Sequence, residues 1–185
     1  MRLLRGLPKR VQTGTSCRIM ASNRPGSRLA FAIEVLQRHL ADHATVQAHS
    51  VALSDEALRD AAPTDIVLCA DSDPRATALL PEPLRTLDGP NAEQGYVIHS
   101  DNRTPVVLYA RSSVGLLHAV ATLLQLIESP DRDGYELPGI SIRDCPAFAI
   151  RGNNWNLFGE IGGWSYDRGD GREAYEQRIV RKLDL

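Results

Sequence analysis

Gly95-Tyr96-Val97-Ile98-His99-Ser100 and Pro105-Val106-Val107-Leu108-Tyr109-Ala110 stand on either side of Asp101-Asn102-Arg103-Thr104. Two β-rich runs joined by a short, turn-rich spacer read as a β-hairpin. Pro105 has no backbone donor, so it belongs at the mouth of its strand, where no ladder bond is lost. A helix opens at Ser112 or Ser113, runs to about Glu128 and stops at Ser129-Pro130. Its polar stripe is narrow: Arg111, Gly115, His118, Thr122, Gln125 and Ser129 share one face, and Leu, Val, Ala and Ile fill the rest. Such a helix is mostly buried, between its own sheet and another surface.

Upstream, Cys17 to Ser22 reads as a short strand, and Asn23-Arg24-Pro25-Gly26 breaks the chain before Ser27, a helix N-cap. Leu29, Ile33, Leu36 and Leu40 then recur at helical spacing, with Glu34 and Arg38 as an outward i,i+4 pair. Ala44 to Val51 alternates as a half-buried strand, Val46 and Ala48 on the core side. Ser54 caps a short helix ended by Pro63, and Asp65 to Ala70 reads as a buried strand. Asp71 to Gln94, punctuated by Pro74, Pro81, Pro83, Gly89 and Pro90, is expected to be a long decorative loop. The order β-α-β-β-β-β-α gives an α+β fold: a mixed, mainly antiparallel sheet with two long helices on one face.

Composition narrows the function classes. The 185 residues are 43% hydrophobic, enough for an ordinary core, and 21 basic against 23 acidic residues give a net charge of -2. With no block of like charges, this speaks against a nucleic-acid binder. No run approaches the roughly 18 apolar residues of a membrane span. Met1 to Arg10 is basic, but Leu3, Leu4 and Leu7 build no signal-peptide core, which tilts the expected location slightly towards the cytoplasm. Cys17, Cys69 and Cys145 are odd in number and far apart, so they read as small apolar residues rather than a disulfide or zinc framework.

Three segments occur in a telling order: Gly95-Tyr96-Val97-Ile98 with its hairpin, Gly115-Leu116-Leu117-His118-Ala119-Val120-Ala121-Thr122-Leu123-Leu124-Gln125-Leu126, and Ile140 to Gly152 with Asp144, Pro146, Phe148, Arg151 and Gly152. The succession resembles the accessory domain that precedes the barrel in family 20 glycoside hydrolases, the β-N-acetylhexosaminidases. Ala147 stands where that family usually has Arg, and Asn153-Asn154-Trp155-Asn156-Leu157-Phe158-Gly159 replaces its usual continuation. The ending Phe158-Gly159 is similar to the opening of family 84 enzymes, which cleave N-acetyl-β-glucosaminides. Within this wider group the chain looks divergent.

The resemblance implies a zincin-like accessory domain over 1–145, then over 146–185 the start of a truncated (β/α)8 barrel, with Ala147 to Asn153 as its first strand. Tyr175 to Leu185 would be an amphipathic stretch with Ile179 and Leu183 inward. A barrel carries its site at the C-terminal ends of its strands. In family 20 the substrate's 2-acetamido oxygen attacks the anomeric carbon, while a Glu protonates the leaving oxygen and an adjacent Asp steadies the acetamido nitrogen. Both carboxylates lie on later barrel strands, so no catalytic residue is expected in this chain. The full-length protein is expected to hydrolyse terminal β-linked N-acetylhexosamine in glycans, with no cofactor or metal, and the accessory domain to buttress its own barrel.

Arg151 matches the family's first-strand Arg, whose guanidinium fork suits two vicinal sugar hydroxyls; the alternative is an ion pair at the barrel mouth. Asn153, Trp155 and Glu160 follow that strand, where loops face a site and a Trp can stack on a sugar, though Trp155 fits barrel core equally well. Asp55-Glu56 reads as a helix first turn, where acids suit the dipole. His39 and His43 lie i,i+4 on a helix but lack the HExxH Glu, and read as a solvated face. His118 and Gln125 are expected to hydrogen-bond across the interface with the barrel. Asn102-Arg103-Thr104 reads as turn chemistry. Two other outcomes stay open: the accessory domain of another barrel hydrolase, α-glucuronidase-like, or a stand-alone carbohydrate-binding module.

Overall fold

Alternation in the strands decides which face each side chain joins. In β4 (Ile66–Ala70), Ile66 and Leu68 point to one core cluster and Val67 and Cys69 to another. In β6 (Val106–Ala110), Val106, Leu108 and Ala110 join the first cluster, Val107 and Tyr109 the second. Both strands are therefore covered on both faces, which explains their continuous apolar runs. The computed structural model describes residues 2–12, 15–21, 27–70, 73–128, 134–148 and 150.

Seven strands form one sheet in the order β1-β7-β5-β6-β4-β2-β3, with β1 Arg2–Gln12, β2 Cys17–Ala21, β3 Ala48–Ala52, β5 Tyr96–Ser100 and β7 Gly134–Asp144. β1/β7, β7/β5 and β5/β6 are antiparallel, whereas β6/β4, β4/β2 and β2/β3 are parallel. The sheet is mixed as expected, but its pairings divide evenly rather than being mainly antiparallel. The parallel half follows from α1 (Ser27–Ala44) and the 53–65 connection, which return the chain to the same sheet end.

Two strands go beyond the sequence expectation. β1 is an edge strand, and its Arg and Lys residues suit an edge, where charge discourages further pairing. Its register against β7 shifts between Gly6 and Lys9, a bulge that accommodates Pro8. The alternation in β7 slips at Pro138-Gly139, so that Tyr135, Leu137, Ile140 and Ile142 all join the first cluster. The strand proposed over Ala44 to Val51 is shorter: Thr45 adopts φ 53 just after α1, and pairing starts only at Ala48.

The two long helices share one face. α1 buries Leu29, Ala32, Ile33, Leu36 and Leu40, and α4 (Ser113–Leu126) buries Leu116, Ala119, Val120 and Leu123 in the same cluster. Each fully buried Leu or Ile contributes about 1.5–3 kcal/mol. Ser112 caps α4 by accepting from the Gly115 amide at 3.3 Å. Likewise Ser54 caps α2 (Asp55–Arg59) through the Ala57 amide at 3.1 Å, with Asp55 and Glu56 in the first turn. The opposite sheet face is covered by Leu80, Leu84 and Leu87. The segment 73–94, with the short helix α3 (Pro74–Thr77), is thus the second face's cover rather than decoration.

Candidate functional site

Polar side chains gather at one end of the sheet. Asp65, immediately before β4, is buried and accepts from the Arg18 amide at 2.8 Å, from Arg18 Nε at 3.1 Å and Nη2 at 2.7 Å, and from the Ala62 amide at 2.8 Å. Four donors on one carboxylate compensate the cost of burying its charge. Lys9 is also buried; its ammonium donates to the carbonyls of Pro63 at 2.5 Å and Thr104 at 2.6 Å. Burial pulls the Lys9 pKa down to about 8, against the opposing pull of Asp101 and Asp65.

The hairpin turn adjoins this network. Asp101 accepts from the amides of Arg103 and Thr104 and from the Thr104 hydroxyl, which fixes the turn in an Asx geometry. His99 Nδ1 lies 2.9 Å from Ser141 Oγ on β7, and its Nε2 lies 3.6 Å from Asp101. Burial lowers the His99 pKa, and Asp101 offsets part of that. Burial likewise pushes the Cys17 thiol up to about 12. Lys9, Asp65 and His99 are all engaged with protein groups, so the network ties β1, β7, the hairpin and the approach to β4 together rather than presenting a reactive group. Sequence reasoning passed over it; the signal was Asp65 directly before an apolar run.

The expected sugar-contacting residues Arg151, Asn153, Trp155 and Glu160 lie outside the described residues, as do the expected barrel strand from Arg151 onward and the stretch Tyr175 to Leu185. His118 and Gln125 make local bonds, and the expected interface with the barrel lies outside the described residues. His118 Nδ1 lies 3.3 Å from the Gln94 carbonyl, and Gln125 donates to the Ala121 carbonyl at 3.2 Å, one turn back on α4. Among the described residues no group of three or more His, Cys, Asp and Glu is arranged to hold a metal.

What the structure does bring together are Gly95 and Gly115 of the first two motif segments and Cys145 of the third. A β-carbon on Gly115 would run into the Gly95 carbonyl oxygen, and one on Gly95 would lie 2.7 Å from Cys145 Sγ. The helix, the strand and the segment leaving the sheet therefore meet at one point that admits no side chain. Residues 4–145 match the family described as glycosyl hydrolase family 20, domain 2. The chain belongs to that family.

Within glycosyl hydrolase family 20, this domain 2 resembles the β-hexosaminidase of Vibrio furnissii, 45% identical over 69 residues, which cover 37% of this chain and 11% of that protein. The chain spans about a tenth of the length of the curated relatives it matches. An inactive mutant of the family 20 exo-β-N-acetylglucosaminidase from Vibrio harveyi has the same fold, with a TM-score of 0.53 at 19% identity over 80% of this chain and 18% of that one. The Streptomyces plicatus N-acetyl-β-hexosaminidase complexed with Thio-NAglucal also shares it, with a TM-score of 0.53 at 21% identity over 80% of this chain and 25% of that one.

Proposed function

We propose that the chain is the non-catalytic accessory domain, 1–145, followed over 146–185 by the first element of a (β/α)8 barrel, in a glycoside hydrolase that removes terminal β-linked N-acetylhexosamine from glycans. The observation that carries this reading is the family match over 4–145 together with the motif glycines meeting at one packed point. The names of the relatives, β-hexosaminidases, support the substrate class.

Arg151 binds vicinal hydroxyls of the terminal sugar through its guanidinium fork, and Asn153, Trp155 and Glu160 line the same pocket, Trp155 by stacking on the ring. The catalytic carboxylates belong to other barrel strands. The accessory domain buttresses the barrel. Supporting this role, the outward side of α4 carries half-buried Val114 and exposed Ala121, where a solvated helix places charge, while half-buried Leu117 and Leu124 beside them pack against the core. Phe148, in the segment that leaves β7, is 73% exposed.

The test is expression of the full-length protein with Arg151→Ala. The reading predicts release of a chromophore from an aryl N-acetyl-β-glucosaminide, with KM raised in Arg151→Ala and domain stability unchanged. Activity confined to aryl glucuronides would overturn the substrate class, and an unchanged KM would overturn the role of Arg151.

A further inference from the structure

All five histidines of the chain lie among the described residues, and two of them, His39 and His43, have their rings together, with centroids 4.5 Å apart and planes tilted by 40°. They stand one turn apart at the C-terminal end of α1, His39 half-buried and His43 exposed. We propose that this pair is a binding site for a divalent transition ion that prefers imidazole, such as Ni2+, Cu2+ or Zn2+.

Geometry carries the proposal. An ion with metal–nitrogen bonds of about 2.0–2.1 Å holds two neighbouring nitrogens about 2.9–3.3 Å apart, from the roughly 90° angle of tetragonal Cu2+ and Ni2+ to the tetrahedral angle of Zn2+. Rings whose centroids already lie 4.5 Å apart reach that spacing by small side-chain rotations. The i,i+4 relation places both side chains on one helix face without backbone change. No third His, Cys, Asp or Glu completes the set among the described residues, so water fills the remaining positions.

Two features of the surroundings favour a cation there. The pair occupies the last turns of an 18-residue helix, where free carbonyls and the helix dipole attract positive charge. Asp42 acts on His39 electrostatically and adds a nearby negative charge. Imidazole nitrogen suits Ni2+, Cu2+ and Zn2+, whereas Mg2+ takes oxygen ligands.

The experiment is calorimetric titration of the 185-residue chain with NiCl2, in parallel with His39→Ala, His43→Ala and, as a control elsewhere on the surface, His49→Ala. Expected is one binding event in the parent and in His49→Ala, weakened by at least an order of magnitude in each of the other two, with no response to MgCl2. Equal Ni2+ binding by the parent and by both His39→Ala and His43→Ala would overturn the site, as would a parent chain that binds none.

Discussion

Gly115, in the first turn of α4, abuts the carbonyl oxygen of Gly95 at the start of β5, so closely that a β-carbon at 115 has no room. The obstacle is backbone on one side and the Ala110 β-carbon, at 3.0 Å, on the other, so no flexible side chain can yield. Gly115→Ala is therefore expected to destabilise the domain by about 1–3 kcal/mol, the usual cost of overpacking. Urea denaturation of the two proteins checks this; a loss below a few tenths of a kcal/mol would show that the helix shifts freely. Gly95→Ala meets Cys145 Sγ at 2.7 Å, and Cys145→Ala should recover part of the loss, a non-additivity read from the double variant.

Asp65 holds four donors in a buried position. Removing it leaves two backbone amides and part of the Arg18 guanidinium unmet, so Asp65→Ala is expected to cost about 3–5 kcal/mol. Arg18 is partly exposed, with 31% of its side-chain surface accessible, so Arg18→Met should cost less. Denaturation midpoints of both variants give the ranking, and the reverse order would contradict it.

Two groups give stability the same pH dependence in different windows. His99 has its pKa lowered in the fold, so below its usual value near 6.5 the unfolded chain binds the proton and the fold does not. Stability then falls as pH drops below about 6.5, and His99→Gln should flatten that slope. Lys9, lowered from 10.5 to about 8, gives the same sign in a higher window. Between those values the unfolded chain holds more protons, so the contribution of Lys9 rises with pH there. The buried Cys17 thiol and Tyr135 hydroxyl, both shifted upward by burial, act against it. The comparison that isolates Lys9 is parent against Lys9→Met: the parent should gain relative to the variant from pH 8 to 10.5.

The three thiols should separate by access. Cys17 and Cys69 are buried, and Cys145 is half-buried. Thiolate supply and exposure govern alkylation, so native iodoacetamide labelling should modify Cys145 first and slowly, since burial raises its pKa too. Peptide mapping showing Cys17 labelled first would contradict the packing around β2.

How far the sequence reveals this architecture depends on what each segment packs against. The hairpin, both long helices, the Ser54 and Ser112 caps and the buried strand at 66–70 carry local signals that agree with their burial, so they are legible. β1 hides because its residues are basic and interrupted by Pro8, features of an edge strand that periodicity alone reads as irregular. β7 hides behind the phase slip at Pro138-Gly139. Leu80, Leu84 and Leu87 lie in a segment whose prolines suggest a loop, and only the open second face of the sheet explains why they are buried. The network of Lys9, Asp65 and His99 joins residues 34 to 90 positions apart, beyond the reach of any local pattern.

The proposed function makes this domain part of an enzyme whose substrate supplies its own nucleophile, the 2-acetamido oxygen. The most direct test is to compare kcat/KM of the full-length protein on an aryl 2-acetamido-2-deoxy-β-glucoside and on the matching β-glucoside, which differs only in carrying a 2-hydroxyl. The account predicts hydrolysis of the acetamido substrate alone. Comparable rates on both, or cleavage of only the 2-hydroxyl sugar, would contradict it.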